Sequence, residues 1–169
     1  WAHFAWPGVT GLLAGAIIVT FAFGLSTHTQ TKAEANKQIA GGATNLGGLI
    51  ARDLAAQGAK AIAIHYNSAS SKADADADAD ADATVAAIQA SGAQAVALQA
   101  DLTTAGAVEK LFADAISAVG KPDIAINTVG KVLKKPMAEI SEAEYDEVTA
   151  VNSKTAFFFL KEAGMPLND

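Results

Sequence analysis

From residue 46 onward, segments with apolar residues at helical spacing alternate with short, strand-like apolar runs. Leucines and isoleucines recur at helical spacing between residues 46 and 54, which predicts an amphipathic helix over 46–57 that ends at Gly58. The predicted apolar face consists of Leu46, Leu49, Ile50 and Leu54. A largely apolar run over 59–66, with Lys60 and His65 as its polar members, then predicts a buried strand. Later segments repeat this order, with strands at 93–99 and 123–127, helices at 83–89 and 105–119, and a long helix opened by a capping box, Ser141 to Glu144.

This repeated order of strand and helix is typical of a parallel sheet with helices on both faces. The sequence therefore predicts an α/β fold with a doubly wound, Rossmann-like parallel sheet. In such sheets ligands bind beyond the carboxyl ends of the strands. The loops that follow the strands are thus the expected location of a binding site.

A glycine-rich stretch, residues 40–48, stands between a short strand predicted at 37–40 and the helix at 46–57. The backbone N–H groups of such a turn, together with the positive end of the helix dipole, can hold a phosphate group. We therefore expect this turn to be the chief functional feature of the chain.

The first 36 residues differ in character from the rest. No formally charged residue lies between His3 and His28, and the apolar segment 8–25 has 18 residues, near the lower limit for a membrane-spanning helix. The alternatives are a hydrophobic segment buried in the protein and a leader that packs elsewhere. The sequence thus predicts two parts: an apolar segment with a linker at 1–36, and a domain at 37–169 that contains the glycine-rich, nucleotide-binding turn.

The formal net charge of −6 argues against a nucleic-acid partner, because phosphate backbones are bound by concentrated lysine and arginine. The absence of cysteine excludes disulfides and thiolate metal sites and fits a reducing compartment such as the cytoplasm, with membrane association if 8–25 spans a bilayer.

Five of the 18 acidic residues lie in the alternating run 74–82. Aspartates four residues apart on a helix repel each other, so we expect this run to be a solvated lead-in to the helix at 83–89. The run lacks the glycine and the terminal glutamate of a calcium loop, and no metal site is predicted.

Four short motifs lie between residues 39 and 164, namely Gly41-x-x-x-Asn45-Leu46-Gly47, Asp101-Leu102, Asn127-Thr-Val-Gly130 and Val-Asn152-Ser. In order and spacing they resemble those of the short-chain dehydrogenase/reductase family. The turn Gly41-x-x-x-Asn45-Leu46-Gly47 is similar to the family's T-G-x-x-x-G-x-G, with Ala40 in place of the threonine and Asn45 in place of the middle glycine. Asparagine tolerates the left-handed conformation better than most residues. The other three matches are Asp101-Leu102, Asn127-Thr-Val-Gly130 (for N-N-A-G) and Asn152 in Val-Asn-Ser.

The resemblance implies that residues 39–164 form the N-terminal nucleotide-binding half of the family fold. It places Asp101 beside the adenine and Asn127 along the cofactor, and it makes Asn152 the member of the catalytic tetrad that helps to hold a proton-relay water. The expected cofactor-binding residues are Gly41, Thr44, Asn45, Leu46, Gly47, Asn67, Ser68, Asp101, Leu102, Asn127 and Gly130. The resemblance also implies a homo-oligomer that forms through the helix of Asn152, with the phenylalanines at 157–159 in the core or on that packing face.

The end of the second strand bears on the choice of nucleotide. An acidic residue there hydrogen-bonds the ribose hydroxyls of NAD and repels the 2′-phosphate of NADP. This chain has Asn67 and Ser68 at that place, with Lys72 nearby, which favours NADP(H) over NAD. The alternative is that the two residues only make a turn. His65 is expected to be a strand-end residue near the cofactor rather than a base, because no carboxylate orients it.

The family's catalytic tyrosine, which a lysine follows four residues later, has no counterpart in this sequence. Tyr66 and Tyr145, the two tyrosines, are followed at that spacing by Ser70 and Thr149. The first hypothesis is therefore an NAD(P)-dependent oxidoreductase, incomplete in this chain, that passes hydride between the nicotinamide and a small carbonyl or alcohol substrate. The alternative is a non-catalytic, membrane-anchored module with a nucleotide-binding fold that serves in an assembly.

Overall fold

The computed structural model describes residues 36–40, 45–67 and 72–167. The strands in these ranges are β1 (Asn36–Ala40), β2 (Ala61–Tyr66), β3 (Gln94–Gln99) and β4 (Ile124–Asn127). The α-helices are α1 (Asn45–Ala56), α2 (Lys72–Ala90), α3 (Ala107–Val119), α4 (Glu142–Thr149) and α5 (Thr155–Leu167). A 3-10 turn lies at Met137–Glu139, and one π-helical turn, Ala150–Lys154, joins α4 to α5.

The described strands form one parallel sheet in the order β3-β2-β1-β4. Strand β1 lies between β2, where Ile39 is level with Ile64, and β4, where Ile39 is level with Ile126. The chain moves outward from β1 to β3 and then returns to the other side of β1, so the strand order reverses between β1 and β4. The predicted α/β fold with a parallel sheet is confirmed.

Helices α1 and α2 cover one face of the sheet. Strand β2 contributes Ile62 and Ile64 to this core, and α2 contributes Ile88, all fully buried. The predicted apolar face of α1 is wrong at Leu49, which is exposed. The buried face of α1 consists of small residues, namely Gly47, Gly48, Ala51 and Ala55. Small residues at the contact let the helix lie close to the sheet, and the larger side chains are displaced to its flanks.

Helices α3 and α5 cover the opposite face. The buried face of α3 follows the predicted spacing and consists of Val108, Leu111, Phe112 and Ala115. Phe112 packs on Phe159 of α5 with ring centroids 5.1 Å apart. Phe159 is 1% exposed whereas Phe157 is 66% exposed, so the phenylalanines at 157–159 divide between the core and the surface. With helices on both faces, the described part of the chain has three layers.

Helix α2 includes the alanine–aspartate run. The prediction that this run is a solvated lead-in to a helix at 83–89 is wrong, because α2 begins at Lys72. Alanine has the highest helix propensity of all residues, and acidic side chains near a helix N-terminus interact favourably with the dipole. These effects outweigh the repulsion between aspartates four residues apart. Further along α2, the buried Thr84 accepts a hydrogen bond from Arg52 of α1 at 3.0 Å.

Helix α4 begins with the predicted capping box. The Ser141 hydroxyl accepts a hydrogen bond from the Glu144 N–H at 3.3 Å, and the Glu144 carboxylate accepts one from the Ser141 N–H at 2.8 Å. No residue of α4 is buried. Lys135 and Lys131 of the preceding loop pair with Glu144 and Glu147, so polar contacts hold this helix in place.

Within the described ranges, no helix is both long and apolar enough to cross a bilayer. The apolar segment 8–25 lies outside those ranges, and its assignment to a membrane or to a buried position stays a prediction. The division of the chain at 1–36 and 37–169 also stays a prediction.

Candidate functional site

The carboxyl ends of β1 and β4 lie side by side, at the point where the strand order reverses. Ala40, the last residue of β1, is level with Asn127, the last residue of β4. Such a reversal opens a crevice at the carboxyl edge of a parallel sheet, where α/β proteins bind nucleotides. Gly41 and Thr44 of the predicted turn follow Ala40 and lie outside the described residues.

Helix α1 begins at Asn45, directly beyond that turn. Asn45 has a φ of 49° and is the one non-glycine residue with positive φ among the described residues. Asparagine enters this left-handed region more readily than other side chains do, so Asn45 adopts a conformation that a glycine at its position would favour. Gly47 is buried and Leu46 is half-buried, which places the first turn of the helix against the sheet.

Asn127 shapes the chain where β4 ends. Its side-chain Oδ1 accepts a hydrogen bond from the Val129 N–H at 2.9 Å. This contact is an Asx turn, in which a side chain replaces a backbone acceptor. It fixes the start of the segment that leads to the exposed Gly130.

Asn152 lies in the π-helical turn, and its side-chain amide holds the loop that follows β4. Its Oδ1 accepts from the Lys131 N–H and its Nδ2 donates to the Lys131 carbonyl, both at 2.8 Å. The π-helical turn is closed by the Thr155 N–H, which donates to the Ala150 carbonyl. Turns of this kind are frequent at functional sites. The structure therefore joins the Asn152 segment to the segment of Asn127 and Gly130.

Asp101 and Leu102 lie in the loop between β3 and α3. The Asp101 Oδ1 accepts from the Thr103 N–H at 3.0 Å and from the Thr103 hydroxyl at 2.6 Å. These hydrogen bonds hold the pKa of Asp101 below its ordinary value, so its exposed carboxylate is ionised at neutral pH. The Leu102 side chain is buried in the core formed by α3 and α5, and its predicted contact with a cofactor stays a prediction.

The carboxyl end of β2 carries Tyr66 and the exposed Asn67, while Ser68 lies outside the described residues. The Asp78 carboxylate of α2 lies close to the Tyr66 hydroxyl. Burial first, and then the negative charges of Asp78 and Asp82, raise the pKa of Tyr66. A carboxylate of the alanine–aspartate run thus reaches the strand end that was predicted to face the ribose.

His65 is buried at the end of β2, as a strand-end residue. Its Nε2–H donates to the Ala100 carbonyl at 2.8 Å, which ties β2 to the loop after β3. Burial lowers the pKa of His65 below its ordinary value, and the hydrogen bond to the Ala100 carbonyl and then the nearby Asp101 carboxylate oppose that shift. The imidazole is therefore neutral at pH 7 and serves as a hydrogen-bond donor.

Three residues around the site were missed by sequence reasoning. Thr103 had a usable signal, because a threonine two residues after an aspartate often closes a local turn. Asp78 would have required the alanine–aspartate run to be assigned as a helix. Lys131 contributes through its backbone, and backbone contacts leave no mark in the side-chain pattern. In the part of the chain that the structure describes, no cluster of three or more histidines and acids could hold a metal ion.

Comparison with known proteins is consistent with this geometry. The family described as short chain dehydrogenase matches residues 38–167. Elsinochrome reductase 1 of Elsinoe fawcettii is 34% identical over 74% of this chain and 43% of its own length. The hydroxynaphthalene reductase-like protein Arp2 of Metarhizium brunneum is 33% identical over 78% of this chain and 46% of its own length.

Solved structures show the same likeness. A Burkholderia cenocepacia dehydrogenase structure with bound NADP is 67% identical, has a TM-score of 0.74, and is matched over 81% of this chain and 49% of its own. A blue fluorescent protein from a metagenomic library, in complex with NADPH, is 30% identical with a TM-score of 0.68, over 77% of this chain and 50% of its own. The chain belongs to the short-chain dehydrogenase family. It spans about half the length of the relatives that it matches.

Proposed function

We propose that this chain forms the nucleotide-binding part of an NADP(H)-dependent oxidoreductase. The observation that carries the proposal is the reversal of strand order between β1 and β4, with Asn127 level with Ala40 and α1 starting at Asn45. These features combine a crevice with a helix N-terminus, which suits a pyrophosphate. The bound nicotinamide would supply hydride to a small carbonyl substrate, or accept it from an alcohol.

The preference for NADP(H) rests on the end of β2 and on the relatives. Asn67 is not acidic, so no carboxylate at that position repels a 2′-phosphate. Two similar structures contain NADP or NADPH. Asp78 is the opposing influence, because its carboxylate lies close to the Tyr66 hydroxyl at the end of β2. NAD is the competing cofactor.

The residues of this chain bind and position the nucleotide, and they do not include the full set needed for hydride transfer. Of the family's tetrad only Asn152 has a counterpart, since neither Tyr66 nor Tyr145 has a lysine four residues later. We therefore infer that nucleotide binding is a property of this chain and that turnover needs the tyrosine and lysine of the family motif, which this sequence does not contain. The segment from Asn127 to Lys131 would lie beside the nicotinamide. The Asn152 side chain would hold this segment there through the backbone of Lys131.

A homo-oligomer that forms through the helix of Asn152 is part of the proposal. Several large apolar side chains of α5 are exposed, namely Phe157, Phe158, Leu160 and Met165. Apolar side chains that face solvent in a continuous group commonly mark a contact surface. Nothing in the described residues favours the membrane-anchored alternative.

Titration of the purified chain with NADPH and NADH, followed by nicotinamide fluorescence, tests the proposal. We expect NADPH to bind more tightly than NADH. Asn127→Ala, which removes the hydrogen bond to Val129, should weaken NADPH binding about threefold to tenfold, the size of one hydrogen bond. Lys110→Ala, on an exposed position of α3, is the control and should bind normally. No binding of either nucleotide would overturn the proposal, and turnover of a carbonyl by this chain alone would overturn the inferred need for further residues.

A further inference from the structure

The residues that follow Asn152 contact the loop on the other side of the site. The Lys154 ammonium donates to the Thr103 carbonyl at 3.2 Å, and the Thr155 hydroxyl lies 3.3 Å from the Leu102 carbonyl. Thr155 is fully buried. One short segment, from Asn152 to Thr155, therefore touches both the loop after β3 and, through Lys131, the loop after β4.

The loop after β3 is held by donors from two directions. His65 donates to the Ala100 carbonyl from β2. From the helical side, the Lys154 ammonium donates to the Thr103 carbonyl and the Thr155 hydroxyl lies within hydrogen-bond distance of the Leu102 carbonyl. Between these contacts lies Asp101. Its carboxylate is directed by Thr103, whose own carbonyl is the one that Lys154 holds.

The π-helical turn explains why the segment from Asn152 to Thr155 can contact both the loop after β3 and the loop after β4. The turn ends at Lys154, and its closing hydrogen bond runs from the Thr155 N–H to the Ala150 carbonyl. The Thr155 hydroxyl also lies 3.1 Å from the same Ala150 carbonyl. The Thr155 hydroxyl has a single proton, which both the Ala150 and the Leu102 carbonyl can accept, so this side chain couples the π-helical turn to the Leu102 backbone.

We propose that Lys154 and Thr155 are positioning residues, which set the loop of Asp101 at a fixed distance from the Asn152 turn. The inference rests on the proposed function, because it assigns Asp101 to the adenosine end of the nucleotide and Asn152 to the nicotinamide end. The two ends of the site are then aligned by one four-residue segment rather than by two independent loops.

Two substitutions remove the contacts separately. Lys154→Met removes the donor to Thr103 at an exposed position, and Lys154→Arg restores a donor and the charge. Thr155→Val keeps the side-chain shape at a buried position and removes the hydroxyl. Lys110→Met removes a lysine whose ammonium pairs with Asp114 in the adjacent turn of α3, and it is the matched control for lost charge.

The first measurement is the affinity of each variant for NADPH and for 2′,5′-ADP, which carries only the adenosine end. Lys154→Met and Thr155→Val should weaken both ligands about threefold to tenfold, as expected for one hydrogen bond. Lys154→Arg should bind within about twofold of the parent chain, and Lys110→Met should be unchanged. Parent-like affinity in both Lys154→Met and Thr155→Val would overturn the inference.

The second measurement needs no nucleotide. The carboxyl pKa of Asp101, followed by NMR, should rise in Thr155→Val towards that of an unperturbed aspartate, because a displaced loop weakens the hydrogen bonds from Thr103. Thr155→Val changes no charge, so a rise reports loop geometry. If the parent chain binds no nucleotide, the proposed function fails, and this pKa still decides the positioning role: an unchanged value in Thr155→Val would overturn it.

Discussion

Strands β2 and β4 both pair with β1, yet their side chains meet different surroundings. Ile62 of β2 and Ile124 of β4 are each level with Lys37, so they occupy corresponding places on the two sides of one strand. Ile62 is completely buried, whereas Ile124 is 41% exposed. Ile64 and Ile126, both level with Ile39, repeat the contrast, since Ile64 is buried and Ile126 only half-buried.

The helices differ in the same way. Helix α3, on the β2–β3 side, is held by a buried apolar face. Helix α4, which follows β4, has no buried residue and is held by its capping box and by ion pairs with Lys131 and Lys135. The contrast shows that apolar burial holds β2 and α3 in place, while hydrogen bonds and ion pairs hold α4 and the loop after β4. Hydrogen bonds and ion pairs are directional and sensitive to pH, and this helix and loop should respond to conditions that leave the core intact.

The largest expected difference is between two matched substitutions. Ile62→Ala should lower the free energy of unfolding by about 2–5 kcal/mol, because it leaves a cavity in a closed core. Ile124→Ala removes a partly exposed side chain and should cost less than about 1 kcal/mol. Urea unfolding of both variants measures the two values. Equal losses would contradict the contrast between β2 and β4.

A smaller effect is expected at the start of α4. Ser141→Ala removes the acceptor for the Glu144 N–H and should cost about 1 kcal/mol. Hydrogen bonds from Ser141 and Lys135 lower the pKa of Glu144 from 4.5 to about 2. A folded-state pKa below the unfolded value stabilises the protein above pH 4.5, and that contribution is lost as the pH falls towards 2. The Ser141 hydroxyl also donates to the Glu144 carboxylate at 2.8 Å, so the difference between parent and Ser141→Ala should shrink over this window. A difference that is constant with pH would contradict this hydrogen bond.

The smallest expected effect is a loss of stability in mild acid that arises from His65 of β2. Burial lowers the pKa of His65 below 6.5, so the unfolded chain takes up a proton at this residue before the folded chain does. Stability is therefore lost as the pH falls below 6.5. His65→Gln keeps a donor for the Ala100 carbonyl but cannot titrate, and its unfolding free energy should vary less between pH 7 and pH 5. Identical pH slopes for the two proteins would contradict the buried, neutral imidazole.

The sequence predicted the order of strands and helices well, because long apolar runs and helical spacing are local signals. The start of α2 was wrong, since the repulsion between aspartates was weighed more heavily than the helix propensity of alanine. The face of α1 was wrong at Leu49, because spacing alone does not show that small residues such as Ala51 make the contact. Local patterns report which residues are apolar, and the close approach of helix and sheet decides which are buried.

The site was predictable only as a set of loops at one edge of the sheet. Asn127 and Asn152 were found through family motifs, but their joint hold on the loop after β4, through Val129 and Lys131, depends on tertiary contacts. The same holds for Thr155 and Leu102, which lie 53 positions apart in the chain. Contacts between distant segments leave no periodic signal in a single sequence.

The central claim is that the crevice between β1 and β4 binds the nucleotide, and NMR titration with NADPH tests it most directly. Amide signals of residues 45–48 and 127–131 should shift together on titration. Signals of Gly92 and Gly120, which lie before β3 and β4 at the opposite edge of the sheet, should stay in place. Shifts at Gly92 and Gly120 with none at residues 45–48 and 127–131 would contradict the account.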